Sequence, residues 1–163
     1  MPTPEELNKA GMEHYKAGRY AEAVSAYEEA VAARPDYAPC YVNLTLALLK
    51  RNRPDDAVRT AQQAVRLAPR AGAAHYHLGN AFSAKGRWNE AVTEYVRAFE
   101  LDGTQITGLV AAGHLLLDHG LTPKALELWK KFLKIAAPDH PRCAEVEDEI
   151  RRAEGRPGLI SKF

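Results

Sequence analysis

Along this chain the apolar residues return at helical spacing in paired runs. Between residues 38 and 67, Tyr41, Leu44 and Leu48 fall three and four positions apart, and so do Ala57, Ala61 and Ala64. Such spacing puts one apolar stripe on each of two helices. The runs are interrupted near the middle by Gly18-Arg19, Asn52-Arg53 and Gly86-Arg87 and close on Pro35, Pro69 and Gly103. Each pair of runs is therefore a helical hairpin with a tight turn inside it. The polar–apolar pattern also repeats as a whole. Ala23, Ala57, Ala91 and Ala125 are 34 residues apart, as are Gly18, Asn52, Gly86 and Gly120, and as are Gly11, Thr45, Gly79 and Gly113.

A fixed period of this length means one supersecondary unit that cannot bury its apolar face alone and must stack on its neighbours. The pattern predicts helices over about 4–17 and 20–33, 38–51 and 54–67, 72–85 and 88–101, 106–119 and 122–136, with a ninth at about 140–154. The units are expected at 4–37, 38–71, 72–105 and 106–139, in one domain of residues 1–154, with 155–163 a flexible tail. Thr3 caps the first helix ahead of Pro4, with Glu6 placed to complete a capping box, and Pro54 and Pro123 open second helices where a missing N–H costs nothing. Thr3 as an opening cap and the solitary last helix read as the two ends of a complete unit.

The repeated residues resemble the tetratricopeptide repeat family, whose pattern is W-x2-L-G-x2-Y, then A-x3-F, then A and P. The third unit matches with His75 at the Trp position, Leu78-Gly79, Phe82, Ala91, Tyr95 and Ala98. The first follows with Leu7, Ala10-Gly11, Ala23, Tyr27, Ala30 and Pro35, and the second with Tyr41, Leu44, Leu48, Ala57, Ala64 and Pro69. The resemblance covers residues 4–137 and implies an all-α, right-handed superhelical solenoid of four hairpins closed by a capping helix. Two units depart from the pattern. Thr45 replaces the Gly and Ala61 the aromatic residue of unit two, so this hairpin is expected to pack with less side-chain volume and to be the softest. In unit four Trp129 takes the aromatic position and Phe132 the second Ala, which suits a terminal unit that meets a single helix carrying Val146 and Ile150.

Conserved in class at every unit, these residues are scaffold, and function must lie on a surface. The resemblance implies a concave groove lined by the first helices. It would present Asn8, Met12, Tyr15 and Lys16 from the first unit, and Val42, Asn43, Leu46, Leu49 and Lys50 from the second. Tyr76, His77, Asn80 and Ser83 come from the third, and Val110, His114, Leu117 and Asp118 from the fourth. A groove this apolar implies a protein or peptide partner held through an apolar or amphipathic segment, anchored by Tyr15, Leu46, Leu49, Tyr76 and Leu117 and oriented by Asn43, His77 and Asn80. Family members that clamp acidic C-terminal tails of Hsp70 and Hsp90 use two Lys, two Asn and an Arg. Here Asn8, Met12, Asn43, Ala73 and His77 stand at those positions, and Asn43 alone matches. The expectation is an adaptor or chaperone-like module that is not a carboxylate clamp. The alternative is a scaffold that self-associates through the repeat ends or the Leu159-Ile160 tail.

Composition narrows this further. Twenty-two basic against 21 acidic residues leave a net charge of +1, so no strong field draws nucleic acid or an anionic membrane. The longest mostly apolar stretch, Ile106 to Leu117, has 12 residues and contains His114, too short and polar to span a bilayer. With no secretory signal, and with Cys40 and Cys143 read as free thiols, the expected compartment is the cytoplasm. His75 and His77 are two apart and His114 and His119 five apart, neither the spacing of a helical metal pair, and His140 beside Cys143 reads as a helix cap. No phosphate loop or dinucleotide fingerprint occurs. The sequence predicts no catalytic residues, no metal and no cofactor. Lys124, Lys130, Lys131 and Lys134, with Arg142, Arg151 and Arg152 beyond them, make the C-terminal end basic, which reads as solvated helix faces with a patch for an acidic partner as the alternative.

Overall fold

The computed structural model describes residues 1–103, 105–137 and 139–155. Among these residues the chain forms helices and turns without strands: α1 (Pro4–Lys16), α2 (Tyr20–Ala33), α3 (Ala38–Lys50), α4 (Pro54–Leu67), α5 (Gly72–Ala84), α6 (Trp88–Leu101), α7 (Ile106–Asp118), α8 (Thr122–Ile135) and α9 (Cys143–Gly155). Each lies within a residue or three of its expected position. The expected tail, apart from Gly155, lies outside the described residues. Among the described residues no helix is long and apolar enough to cross a membrane.

Local chemistry sets the helix ends. The Thr3 hydroxyl accepts from the Glu6 N–H at 3.2 Å and the Glu6 carboxylate accepts from the Thr3 N–H at 2.8 Å, the reciprocal capping box. Inside each hairpin the turn residue has positive φ: 74° at Gly18, 55° at Asn52, 75° at Gly86 and 73° at Gly120. That left-handed conformation penalises a Cβ, and Asn is among the few side chains that tolerate it, which is why Asn52 can hold a glycine position.

Packing within each hairpin is a complementarity of a small residue and a ring. A Cβ added at Gly11 would lie 2.5 Å from the Tyr27 ring and one at Gly79 2.6 Å from the Tyr95 ring, while at Gly113 it would collide with the Trp129 indole. Unit two solves the same problem with the bulk on the other helix. Thr45 and Ala61 are both buried, and the Thr45 hydroxyl donates to the Tyr41 carbonyl at 2.8 Å. The volume expected to be missing is thus partly returned by Thr45.

Two apolar clusters result. The larger runs from Ala23 through Tyr95 across the first three hairpins and reaches Ala112 of α7, and the second joins Ile106, Leu109, Trp129 and Phe132 to Val146, Ile150 and Ala153 of α9. Phe132 is 2% exposed and meets Phe99 edge-on at 5.6 Å, so the bulky residue in place of the family's Ala is core. His75 ties three elements together: it contacts the Glu94 carboxylate of α6 at 2.6 Å and the Pro69 carbonyl at 2.9 Å. The two cysteines are free, with Cys40 donating to the Tyr27 carbonyl at 3.5 Å. His140 accepts from the Arg142 N–H at 3.2 Å just ahead of α9.

Candidate peptide-binding groove

The groove expected from the first helices is a face of unequal parts. At the first two units Asn8 and Asn43 bond to each other, the Asn43 amide donating to the Asn8 Oδ1 at 3.0 Å, and Asn8 reaches the Met12 sulfur at 3.9 Å. Asn8 is buried by this arrangement, whereas Met12 remains 39% exposed. Tyr15 packs edge-on against Tyr20 at 5.2 Å, and Val42, Asn43, Leu46 and Leu49 are half-buried. Beside them an apolar pocket of about 310 Å³ is walled by Pro39, Val42, Asn43, Ala68, Ala73 and Ala74. Its size follows from alanines on three helices, α3, α4 and α5, and on the α4–α5 turn.

Other members of the expected set are held by the scaffold. Tyr76 lies 5.8 Å from Tyr95 and against the backbone of Gly108, so it serves the joint between the third and fourth units. The Asn80 Oδ1 accepts from the Tyr95 hydroxyl at 2.7 Å. Val110 is buried in the second cluster and Leu117 packs against it. The sequence expectation that Val110 faces an open groove is corrected here: α9 extends the stack, so an apolar residue on α7 gains more from that core than from water. His114 stays exposed but is engaged by the Glu149 carboxylate of α9 at 2.8 Å.

His77 has a separate character. Burial without a hydrogen bond to its Nδ1 pushes its pKa down to about 4, so the ring is neutral at pH 7. It cannot supply the cation that a carboxylate clamp needs at this position. Among the described residues no three His, Cys, Asp or Glu side chains are grouped to hold a metal. The sequence reading missed the pocket because its walls are alanines, whose signal is their clustering at 64, 68, 71, 73 and 74.

A stack of helical hairpins with a glycine under a ring in three of the four defines a class of repeat solenoids. Tetratricopeptide repeat models match residues 4–37 and 42–105, and this chain belongs to the tetratricopeptide repeat family. The Small glutamine-rich tetratricopeptide repeat-containing protein 2 of Mycosarcoma maydis is 32% identical over 98 residues, which is 60% of this chain and 28% of that protein. The Hsp70-Hsp90 organizing protein of Triticum aestivum is 33% identical over 95 residues, 54% of this chain and 16% of its own length. The chain thus spans under a third of either relative. Among solved structures, the first repeat domain of Spaghetti (RPAP3) bound to the HSP90 peptide SRMEEVD superposes with a TM-score of 0.69 at 22% identity, covering 71% of this chain and 92% of that one. MamA from Desulfovibrio magneticus RS-1 gives 0.73 at 23%, covering 81% and 75%. These two show the shared fold.

Proposed function

We propose that this chain is a non-catalytic protein-interaction module whose concave face takes an apolar or amphipathic peptide segment, with one bulky apolar side chain seated in the pocket beside Asn43. The observation that carries this reading is the pocket itself: an apolar, alanine-lined recess on the face that the family's first helices form. Asn43 stands at its edge with amide capacity left after bonding Asn8, suited to orienting a peptide backbone. The family relationship and the Hsp70-Hsp90 organizing protein among the relatives support a protein partner.

The chemistry of that partner differs from the acidic tail SRMEEVD. Where a clamp needs cations, this face offers Asn8, already bonded, Ala73 and a neutral His77. Each missing charge-assisted bond is worth about 1.5–3 kcal/mol. Peptides selected from a random display library on the intact chain should be rich in large apolar residues, and Ala73→Trp, which fills the recess from an exposed position, should weaken them at least about tenfold with helicity unchanged. SRMEEVD should bind at least about a hundredfold more weakly than the selected peptides in the same fluorescence-anisotropy titration. Tight SRMEEVD binding, or indifference of the selected peptides to Ala73→Trp, would remove this reading.

A further inference from the structure

The repeat supplies its own control for every surface position, and against that control the outer furrow between α6 and α8 is anomalous. Two adjoining pockets lie there. One of about 360 Å³ is walled by Trp88, Val92, Val96, Leu121 and Leu128, and one of about 390 Å³ by Val96, Phe99, Leu128, Phe132 and Ile135. They share Val96, Leu128 and Lys131, so they form one continuous trough. Ile135 at its end is 62% exposed. At the register of Val96 the first and second units carry Glu28 and Gln62, and at the register of Leu128 the first three carry Ala26, Thr60 and Glu94. The solenoid therefore stacks without large apolar residues at these places. Phe132, in the position that is Ala30, Ala64 and Ala98 elsewhere, adds its ring to the same trough.

Charge is reversed in step. Lys124 occupies the position of Glu22, Asp56 and Glu90. Those acids complement the positive end of the helix dipole, whereas the first turn of α8 holds no acid at all. Lys130 pairs with Glu154 at 2.7 Å, but Lys124 and Lys131, on the trough wall, have no ion-pair partner among the described residues. Glu127 between them leaves that wall net positive, and Glu100 at the far end is 3.6 Å from Arg97. A cation at a helix N-terminus beside solvent-facing apolar residues is unfavourable for the isolated chain on both counts, and an acidic amphipathic ligand relieves both.

From these features we propose that the α6–α8 furrow is a second docking site, separate from the concave face, for an acidic amphipathic helix of a partner protein. Its apolar stripe lies along Val92, Val96, Leu128 and Ile135, and its carboxylates meet Lys124 and Lys131. The α6 wall from Trp88 to Phe99 is about 17 Å long, room for about three turns of helix.

Two capped 14-residue probe peptides test this: one with Leu at positions 2, 6, 9 and 13 and Glu on the flanks, the other with Lys in place of every Glu. Trp88 lies in the trough and stacks on His119 at 4.1 Å, while Trp129 is buried, so emission that changes in wild type and not in Trp88→Phe reports the furrow. The Glu peptide should saturate this signal, and Lys124→Glu/Lys131→Glu should weaken it at least about tenfold and transfer the preference to the Lys peptide. Val96→Gln/Leu128→Thr restores residues that the second unit already carries, so it should fold normally and lose binding of the Glu peptide by a similar factor. No saturation by about 1 mM, equal binding of both peptides to wild type, or indifference to Val96→Gln/Leu128→Thr overturns the proposal. So does lysine-dependent binding of phosphatidylcholine–phosphatidylglycerol vesicles without peptide binding, which assigns the furrow to a membrane surface. Ala73→Trp blocks the concave recess alone, so the two sites fail independently.

Discussion

At the residue scale, His77 shows how position overrides type. By type it is a polar groove residue; by place it is a half-buried neutral ring next to Tyr76, 5.0 Å away, with its enclosed Nδ1 unbonded. Its folded pKa of about 4 lies below the usual 6.5, so the unfolded chain takes up the proton first as pH falls. Above pH 6.5 both states are neutral and His77 makes stability no function of pH. Between pH 6.5 and 4 stability is lost, reaching on the order of 3 kcal/mol. The stabilities read from urea titrations at pH 7 and 4.5 should therefore differ less for His77→Leu than for wild type. Parallel losses in the two proteins would mean that the ring is already hydrated.

At the element scale, each hairpin is held by one matched pair across its two helices. The glycines of units one, three and four admit a ring that a Cβ would exclude, while Thr45 opposite Ala61 divides the volume the other way. Thr45→Gly leaves a void and adds backbone entropy to the unfolded chain, and Ala61→Tyr overfills the space above Thr45; each should cost about 1–3 kcal/mol. The double variant rebuilds the pair used by the other three units and should recover most of the sum, a favourable coupling read from a double-mutant cycle. Simple additivity would show that Thr45 and Ala61 do not share that space. Much of this was legible in the sequence, since the period aligned the four pairs; that Thr45 and Ala61 are both buried was not, because burial depends on what the rest of the stack lays over them.

At the scale of the whole molecule, one apolar cluster runs through the first three hairpins and reaches Ala112 of α7, while most of the fourth hairpin's core is shared with α9. Phe132 is central to the second and meets Phe99 of α6 there, while Leu128 packs against both clusters. Phe132→Ala should cost on the order of 3–5 kcal/mol, with hydrogen exchange accelerating over α7 to α9 before α1 to α5. A loss below about 1 kcal/mol, or uniform acceleration, would contradict a divided core. The helices, their pairing and the stack were already fixed by the 34-residue period, because small residues in strict register permit no other way to bury the apolar stripes. The tertiary structure alone decided which apolar residues stay open. Val110 is drawn into a core by α9, Tyr76 is taken up by a joint between units, and alanines from three elements become the walls of a recess. The physical reason is that burial depends on neighbours distant in sequence, and a periodic pattern gives each residue's face of the helix but not what comes to rest against it.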